Sequence, residues 1–173
     1  MKDRRDIIGY VLGGWQVSGV VRLTSGTPFT VSQTGLDLDF DGFAEARPVL
    51  LDPSILGRTI NDPATSRDLL PLSAFRPYVA GDSLDSVVGR NTFFGDGLQT
   101  MDLGLYKNFA LSGTRSFSVR IEVFNLFDAV QYAYPAVNIS VPATVGQFTG
   151  VVSDFEAEKA NGRRIAFLLR LEF

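Results

Sequence analysis

Asp37, Asp39 and Asp41 alternate through the segment Asp37-Leu38-Asp39-Phe40-Asp41-Gly42. Alternating carboxylates can converge on one cation, and the glycine permits the sharp turn of a calcium loop. Glu45 adds an oxygen donor. Pro48 stands where a helix–loop–helix calcium loop carries its bidentate glutamate, so the segment is not of that type. The competing reading is a solvated acidic surface loop. Glu122 and Glu172 invite comparison with a glycosidase pair, which needs carboxyls ~5–10 Å apart and one raised pKa. Each has an arginine two residues away on the same side (Arg120, Arg170), and neither lies in an evident loop cleft. The chain has no cysteine and no histidine, which excludes thiolate–zinc sites and histidine acid–base catalysis. It contains no phosphate-binding glycine motif and no nucleophile elbow. The expectation is that it is not an enzyme. A net charge of −3 without a basic cluster argues against a nucleic-acid partner.

The charged residues sit on segments that alternate with a period of two, the signature of strands. In residues 14–25, Trp15, Val17, Gly19, Val21 and Leu23 share one face, and Gln16, Ser18, Val20, Arg22 and Thr24 the other. Residues 98–110 oppose Met101, Leu103, Leu105 and Phe109 to Asp102, Gly104, Tyr106 and Asn108. Residues 115–128 oppose Phe117, Val119, Ile121 and Val123 to Ser118, Arg120 and Glu122. The final segment places Ile165, Phe167, Leu169, Leu171 and Phe173 on one side, and Ala166, Leu168, Arg170 and Glu172 on the other. Its length suits the ~9–11 residues of a tilted membrane strand. The fold class expected is all-β: an antiparallel meander of four long strands at residues 12–31, 93–110, 115–131 and 161–173. The stretch IIGYVLGGW near the start is interrupted by glycines and does not read as a signal peptide. No run of apolar residues is long enough for a membrane helix. Ser153 and Glu156 have capping-box spacing, which predicts a helical turn in residues 153–160.

The connections differ in length. Leu111-Ser112-Gly113-Thr114 is a hairpin turn. Residues 26–97 and 129–162 are long links. Short turns on one side and long loops on the other is the sidedness of outer-membrane barrels. With the short turn at the periplasm, Trp15, Phe109, Phe117 and Phe173 mark the lower strand ends, all on the apolar parity. This is the pattern of an interfacial aromatic girdle. Phe29, Phe94, Phe127, Tyr132 and Tyr134 form a looser upper set. The apolar parity then faces lipid, and Asp102, Arg120, Glu122, Arg170 and Glu172 face the lumen. Lumen charges of this kind pair across strands or line a ligand path. Because the smallest membrane barrels have about 8 strands, four strands are expected to be the C-terminal part of something larger. The alternative is a soluble β-sandwich that binds carbohydrate through aromatic-rich loops, its aromatics filling the core.

The segment LGGWQVSGVVRLTSGTPFTV resembles the LGGWQLSGI…SGxPFTV stretch of TonB-dependent outer-membrane receptors, most closely their Oar-like subgroup. DLDFDGFAEARP is similar to that subgroup's Asp-rich loop ending in Arg-Pro. LSAFRP with VGRNTFFGDGLQTMDLGLYKNF, then RSFSVRIEVFNLFD, then RRIAFLLRLEF resemble its successive loop and strand signatures, in the same order from about Leu12 onward. Asp96 departs from the pattern, standing where the family usually has proline; the expected effect is a changed turn. The resemblance implies a 22-stranded plugged barrel, about the size of outer-membrane transporters, of which residues 1–173 are the C-terminal portion, with plug domain and TonB box outside them. It implies residence in the outer membrane of a Gram-negative bacterium, contact with outer-membrane lipid, and uptake of a bulky ligand energised by the inner-membrane TonB complex. It also implies that the outer-membrane assembly machinery reads Phe173 as its signal. The resemblance implies no cofactor; a calcium ion at Asp37, Asp39 and Asp41 rests on their spacing alone, against the reading of a solvated acidic loop.

Overall fold

The computed structural model describes residues 7–35, 37, 42, 45–151 and 162–173. Among these lie two short α-helices and ten strands: α1 (Ile7–Leu12), β1 (Gln16–Thr24), β2 (Pro28–Phe29), β3 (Gln33–Thr34), β4 (Glu45–Ala46), β5 (Val49–Leu50), α2 (Ser66–Leu69), β6 (Phe75–Arg76), β7 (Phe93–Phe94), β8 (Leu98–Ala110), β9 (Ser116–Phe124) and β10 (Arg164–Glu172). No helix among them is long and apolar enough to cross a membrane. The chain divides into two compact units. One comprises the described residues of Met1–Leu23, Gln99–Val130 and Glu156–Phe173; the other those of Thr24–Leu98 and Gln131–Phe155.

The first unit is built on a four-stranded sheet of order β1-β8-β9-β10. β8 and β9, and β9 and β10, pair antiparallel. Gly19 lies beside Asp102 and Ser18 beside Gly104, so β1 runs antiparallel to β8. The register keeps the parities together. Leu103–Val123–Ile165, Leu105–Ile121–Phe167 and Phe109–Phe117–Leu171 are rows of the apolar face, and Gly104–Glu122–Ala166, Tyr106–Arg120–Leu168 and Asn108–Ser118–Arg170 rows of the polar face. The β8–β9 hairpin turns at Gly113, whose φ of 71° suits glycine, and is closed by the Leu111 amide donating to Arg115 O at 2.9 Å. Both long links leave from and return to the opposite end of the sheet.

The four long strands occur in the expected order, but their ends differ from expectation. Residues 12–15 are not strand: α1 closes through Gly14, at φ 74°, the left-handed position that ends many helices. β1 stops at Thr24 because the backbone then crosses very close to its neighbour. A Cβ on Gly26 would lie 2.0 Å from Gly95 O, and one on Gly97 2.7 Å from Thr24 O. Residues 28–29 and 93–94, expected to prolong β1 and β8, form a separate pair, β2–β7. β9 ends at Phe124 because Asn125 turns to φ 49°. The Asn125 amide donates to Asp102 Oδ1 (2.8 Å), and its side chain closes a loop with the Ala129 backbone (2.9 and 3.0 Å). β10 starts at Arg164, after the Arg163 amide donates to Asp128 Oδ1 at 2.7 Å.

The second unit is made from the two long links, which fold together rather than remaining irregular. Val31, Ile55, Ile60, Leu70, Val88 and Phe93 form its core, joined by Ile139 and Val145 from the second link. The Ser32 amide donates to Val137 O (3.0 Å) and the Ile139 amide to Ser32 O (2.9 Å). The buried Gln33 amide group donates to Tyr78 O and accepts from Tyr78 N (3.0 and 2.7 Å), so its polar atoms are satisfied. Phe29, expected in the upper aromatic set, is buried here and stacks on Phe93 and Tyr134. Asp96 does more than change a turn: its carboxylate accepts the Tyr132 amide at 3.2 Å, tying one link to the other. The helical turn expected in residues 153–160 lies outside the described residues.

One turn of this unit is acid-sensitive by construction. Arg76 forks onto Asp82 (2.6 and 2.8 Å), and the Val79 amide donates to the same carboxylate at 3.0 Å. Chiefly through Arg76, the Asp82 carboxyl is held at about 2, below its ordinary 3.8. A depressed carboxyl stabilises the fold above its unfolded value and loses that contribution as pH falls through the folded value. Protection of the Val79 amide, its exchange rate by NMR relative to that of an unstructured amide at the same pH, is therefore expected to fall only as pH drops from 3.8 toward about 2. An Asp82→Asn variant should lose that dependence.

Candidate functional site

The apolar face of the sheet is bare. Val17, Val21, Leu23, Phe167 and Leu169 are 60–72% exposed, and Val119 and Ile121 are only half-buried. Among the described residues, the buried hydrophobic core lies in the other unit. A sandwich would bury these side chains against a second sheet; among the described residues none does so. A contiguous exposed apolar surface of this kind marks a lipid or partner interface.

The girdle residues are placed at the short-turn end of this face. Phe109 and Phe117 are register partners and stack at 6.0 Å. Trp15 precedes β1, and Phe173 follows β10, 88% exposed.

Lys107 interrupts the apolar parity of β8, between Leu105 and Phe109. It is also the only buried residue among the described residues of this unit. Its ammonium donates to the carbonyls of Tyr10 (2.5 Å), Val11 (2.6 Å) and Gly13 (2.6 Å) at the C-terminus of α1. These are carbonyls that a helix end leaves unpaired, and the helix dipole favours a cation there. The ammonium also lies 4.7 Å from the Phe109 ring centre and 5.4 Å from that of Trp15, within cation–π range. Trp15 Nε1 donates to Val11 O at 3.0 Å, and Tyr10 Oη to Ala110 O at 2.7 Å. The Leu-Gly-Gly-Trp sequence thus stops a helix whose terminal carbonyls, Tyr10, Val11 and Gly13, are taken up by a strand lysine. The pattern of strand parities missed it. The available signal was a lone charge on an otherwise apolar face, one step from the girdle.

On the polar face the charges pair along strands, not across them as expected. Arg120 meets Glu122 at 2.5 Å and Arg170 meets Glu172 at 2.7 Å. Both pairs are partly exposed, so each contributes at most about 1 kcal/mol. Across strands, Glu172 accepts from Ser116 Oγ at 2.9 Å. Asp102 stands apart from these pairs, accepting the Asn125 amide. Glu122 is opposite Ala166 and Glu172 opposite Ser116. At ~3.4 Å per residue their strand positions are roughly 20 Å apart, too far for a glycosidase pair.

Asp39 and Asp41 lie outside the described residues. One Asp37 oxygen accepts the Gly42 amide at 3.0 Å, with Gly42 at φ 90°. No group of three or more acidic side chains able to hold a metal occurs among the described residues.

An antiparallel sheet, bare and apolar on one face, charged on the other and rimmed with aromatics at one end, defines a membrane β-barrel protein. The chain matches the family model described as outer membrane beta barrel domain over residues 1–165 and belongs to that family. Its place is the bacterial outer membrane. No curated protein and no solved structure matches it.

Proposed function

We propose that the chain is the C-terminal barrel portion of a TonB-dependent receptor that takes up a bulky ligand with energy from the inner membrane. The observation that carries this reading is the sidedness of the sheet. One end closes with a four-residue hairpin, while both links at the other end fold into a packed unit of their own. Links that fold around a core of their own, rather than closing as short turns, suit a receptor that must present a binding surface to a solute. β1 and β10 have no outer partner among the described residues. An open edge in lipid costs several kcal/mol per unpaired group, which supports further strands closing a barrel; the resemblance to TonB-dependent receptors sets their number at about 22. In this reading the short hairpin is periplasmic and Arg120, Glu122, Arg170 and Glu172 line the lumen. Phe173 engages the assembly machinery, and the TonB complex acts through segments other than residues 1–173. The chain catalyses no reaction. Asp37, Asp39 and Asp41 are its candidate calcium donors.

The test compares cells with and without the intact gene for accumulation of solutes too large for general porins. The expected result is gene-dependent accumulation that stops when the inner-membrane proton gradient is collapsed. Accumulation indifferent to that gradient would make the protein a passive pore. The 173-residue chain reconstituted alone is expected to support no uptake.

A further inference from the structure

The clasp between Lys107 and α1 assigns a surface that barrel membership alone does not. Lys107 shares a parity with Leu103, Leu105 and Phe109, so the helix end it holds lies on the apolar side of the sheet. Tyr10 agrees with this placement, its ring 5.6 Å from that of Phe109 and its hydroxyl on the Ala110 carbonyl. At this position α1 continues the membrane-facing surface at the girdle. Tyr10, Val11 and Leu12 are 46–71% exposed, and Trp15 and Leu111 are exposed beside them in the same unit. The polar groups at the clasp that such a position would penalise most are paired. The lysine places its ammonium on three helix-terminal carbonyls, and the Trp15 N–H is used on one of them. The charge therefore does not meet lipid unpaired, and the carbonyls of Tyr10, Val11 and Gly13 are taken up with it.

We propose that α1 is an interfacial membrane helix, clamped by Lys107, and that Tyr10, Val11 and Leu12 lie in the boundary between headgroups and acyl chains of the leaflet at the short-turn end. The occupant of this surface is phospholipid. An apolar helix that carries a tyrosine, followed three residues past its end by a tryptophan, has the side chains that favour the headgroup boundary. Lys107 is then a positioning residue that ties the depth of β8 to the interface.

Residues 1–173 contain no cysteine and a single tryptophan, so two clean probes exist in the complete protein once any cysteine or tryptophan outside them is replaced. Leu12→Cys, Ser112→Cys and Leu169→Cys proteins are placed in phosphatidylethanolamine–phosphatidylglycerol vesicles and treated with a water-soluble maleimide. Ser112 lies in the hairpin and is exposed to water; Leu169→Cys, shielded, shows that the sheet faces lipid. Leu12→Cys is expected to react about tenfold more slowly than Ser112→Cys. Adding Lys107→Met should bring its rate up to that of Ser112→Cys and shift Trp15 emission to the red, while Leu169→Cys stays shielded. Lys107→Arg should restore much of the protection. If Leu12→Cys in the otherwise unaltered protein reacts as fast as Ser112→Cys, α1 is a water-exposed turn and the proposal is overturned. It is overturned equally if Lys107→Met leaves the Leu12→Cys rate unchanged.

Discussion

Ile121→Arg is expected to prevent stable insertion of the protein into outer-membrane lipid, while Ser118→Arg is tolerated. Ile121 lies on the central apolar row between Leu105 and Phe167. A charge at the bilayer midplane on the lipid face of a barrel costs about 2–4 kcal/mol, falling to about 0–1 near the interface. Ser118 points to the polar side, between Asn108 and Arg170, where an added arginine meets polar neighbours. Depth gives a second, finer expectation. Leu169→Arg sits one row nearer the short-turn end, level with Val119 and Lys107, and should cost less than Ile121→Arg but more than Ser118→Arg. Urea titration of the folded, membrane-inserted fraction would rank the three. Equal losses at Ile121 and Ser118 would refute the assignment of faces. The wild-type sheet already contains a control: Lys107 is a cation on the lipid parity, and it is held by helix carbonyls rather than left bare.

The parts of this fold that could be read from the chain are those where one property repeats along a strand. Val119-x-Ile121-x-Val123 against Ser118-x-Arg120-x-Glu122 separates the two faces, and the hairpin at Gly113 sets the register. The ends of the strands were less legible because single backbone events decide them. Asn125 in the left-handed region and the close approach of Gly26 to Gly95 stop strands whose hydrophobic alternation continues past them. The folded links were invisible for another reason. Their strands are two residues long, and their core brings Val31, Ile60, Val88 and Val145 together from distant positions without periodicity. Pairing depends there on side chains such as Gln33 and Asp96, which look like ordinary loop residues in a linear reading. Parity alone puts Arg120, Glu122, Arg170 and Glu172 on one face of the sheet, as the register does, but it does not give their partners. Two residues along one strand brings an arginine and a glutamate together directly, whereas the register sets Ala166 and Leu168 opposite Glu122 and Arg120.

Phe93→Ala is expected to be the most damaging single truncation in the linked-loop unit. The ring is fully buried, stacks on Phe29 at 5.8 Å and meets Phe75 edge-on at 6.2 Å. Its neighbours come from β2 and β6, so a cavity there cannot be closed by moving one segment. Truncation of a buried phenylalanine costs about 3–5 kcal/mol, with the larger values where the site does not collapse. Its backbone is also placed where β7 orders another part of the unit: the next residue, Phe94, takes the Ile60 amide on its carbonyl at 2.7 Å and donates its own amide to Arg58 O at 3.1 Å. Hydrogen exchange at the Ile60 amide, and at the Val88 amide that donates to Pro48 O, reports this unit directly. Both should lose protection by several orders of magnitude, about tenfold per 1.4 kcal/mol. Phe127→Ala, removing a ring that is 73% exposed, should stay within about 0.5 kcal/mol of wild type. If exchange at Ile60 and Val88 is unmoved by Phe93→Ala, the aromatic cluster is not what holds the links together. The hydrogen bonds at Asp96 and Ser32, and that of Ser66 Oγ, which donates to Gly146 O at 2.5 Å, would then have to do so.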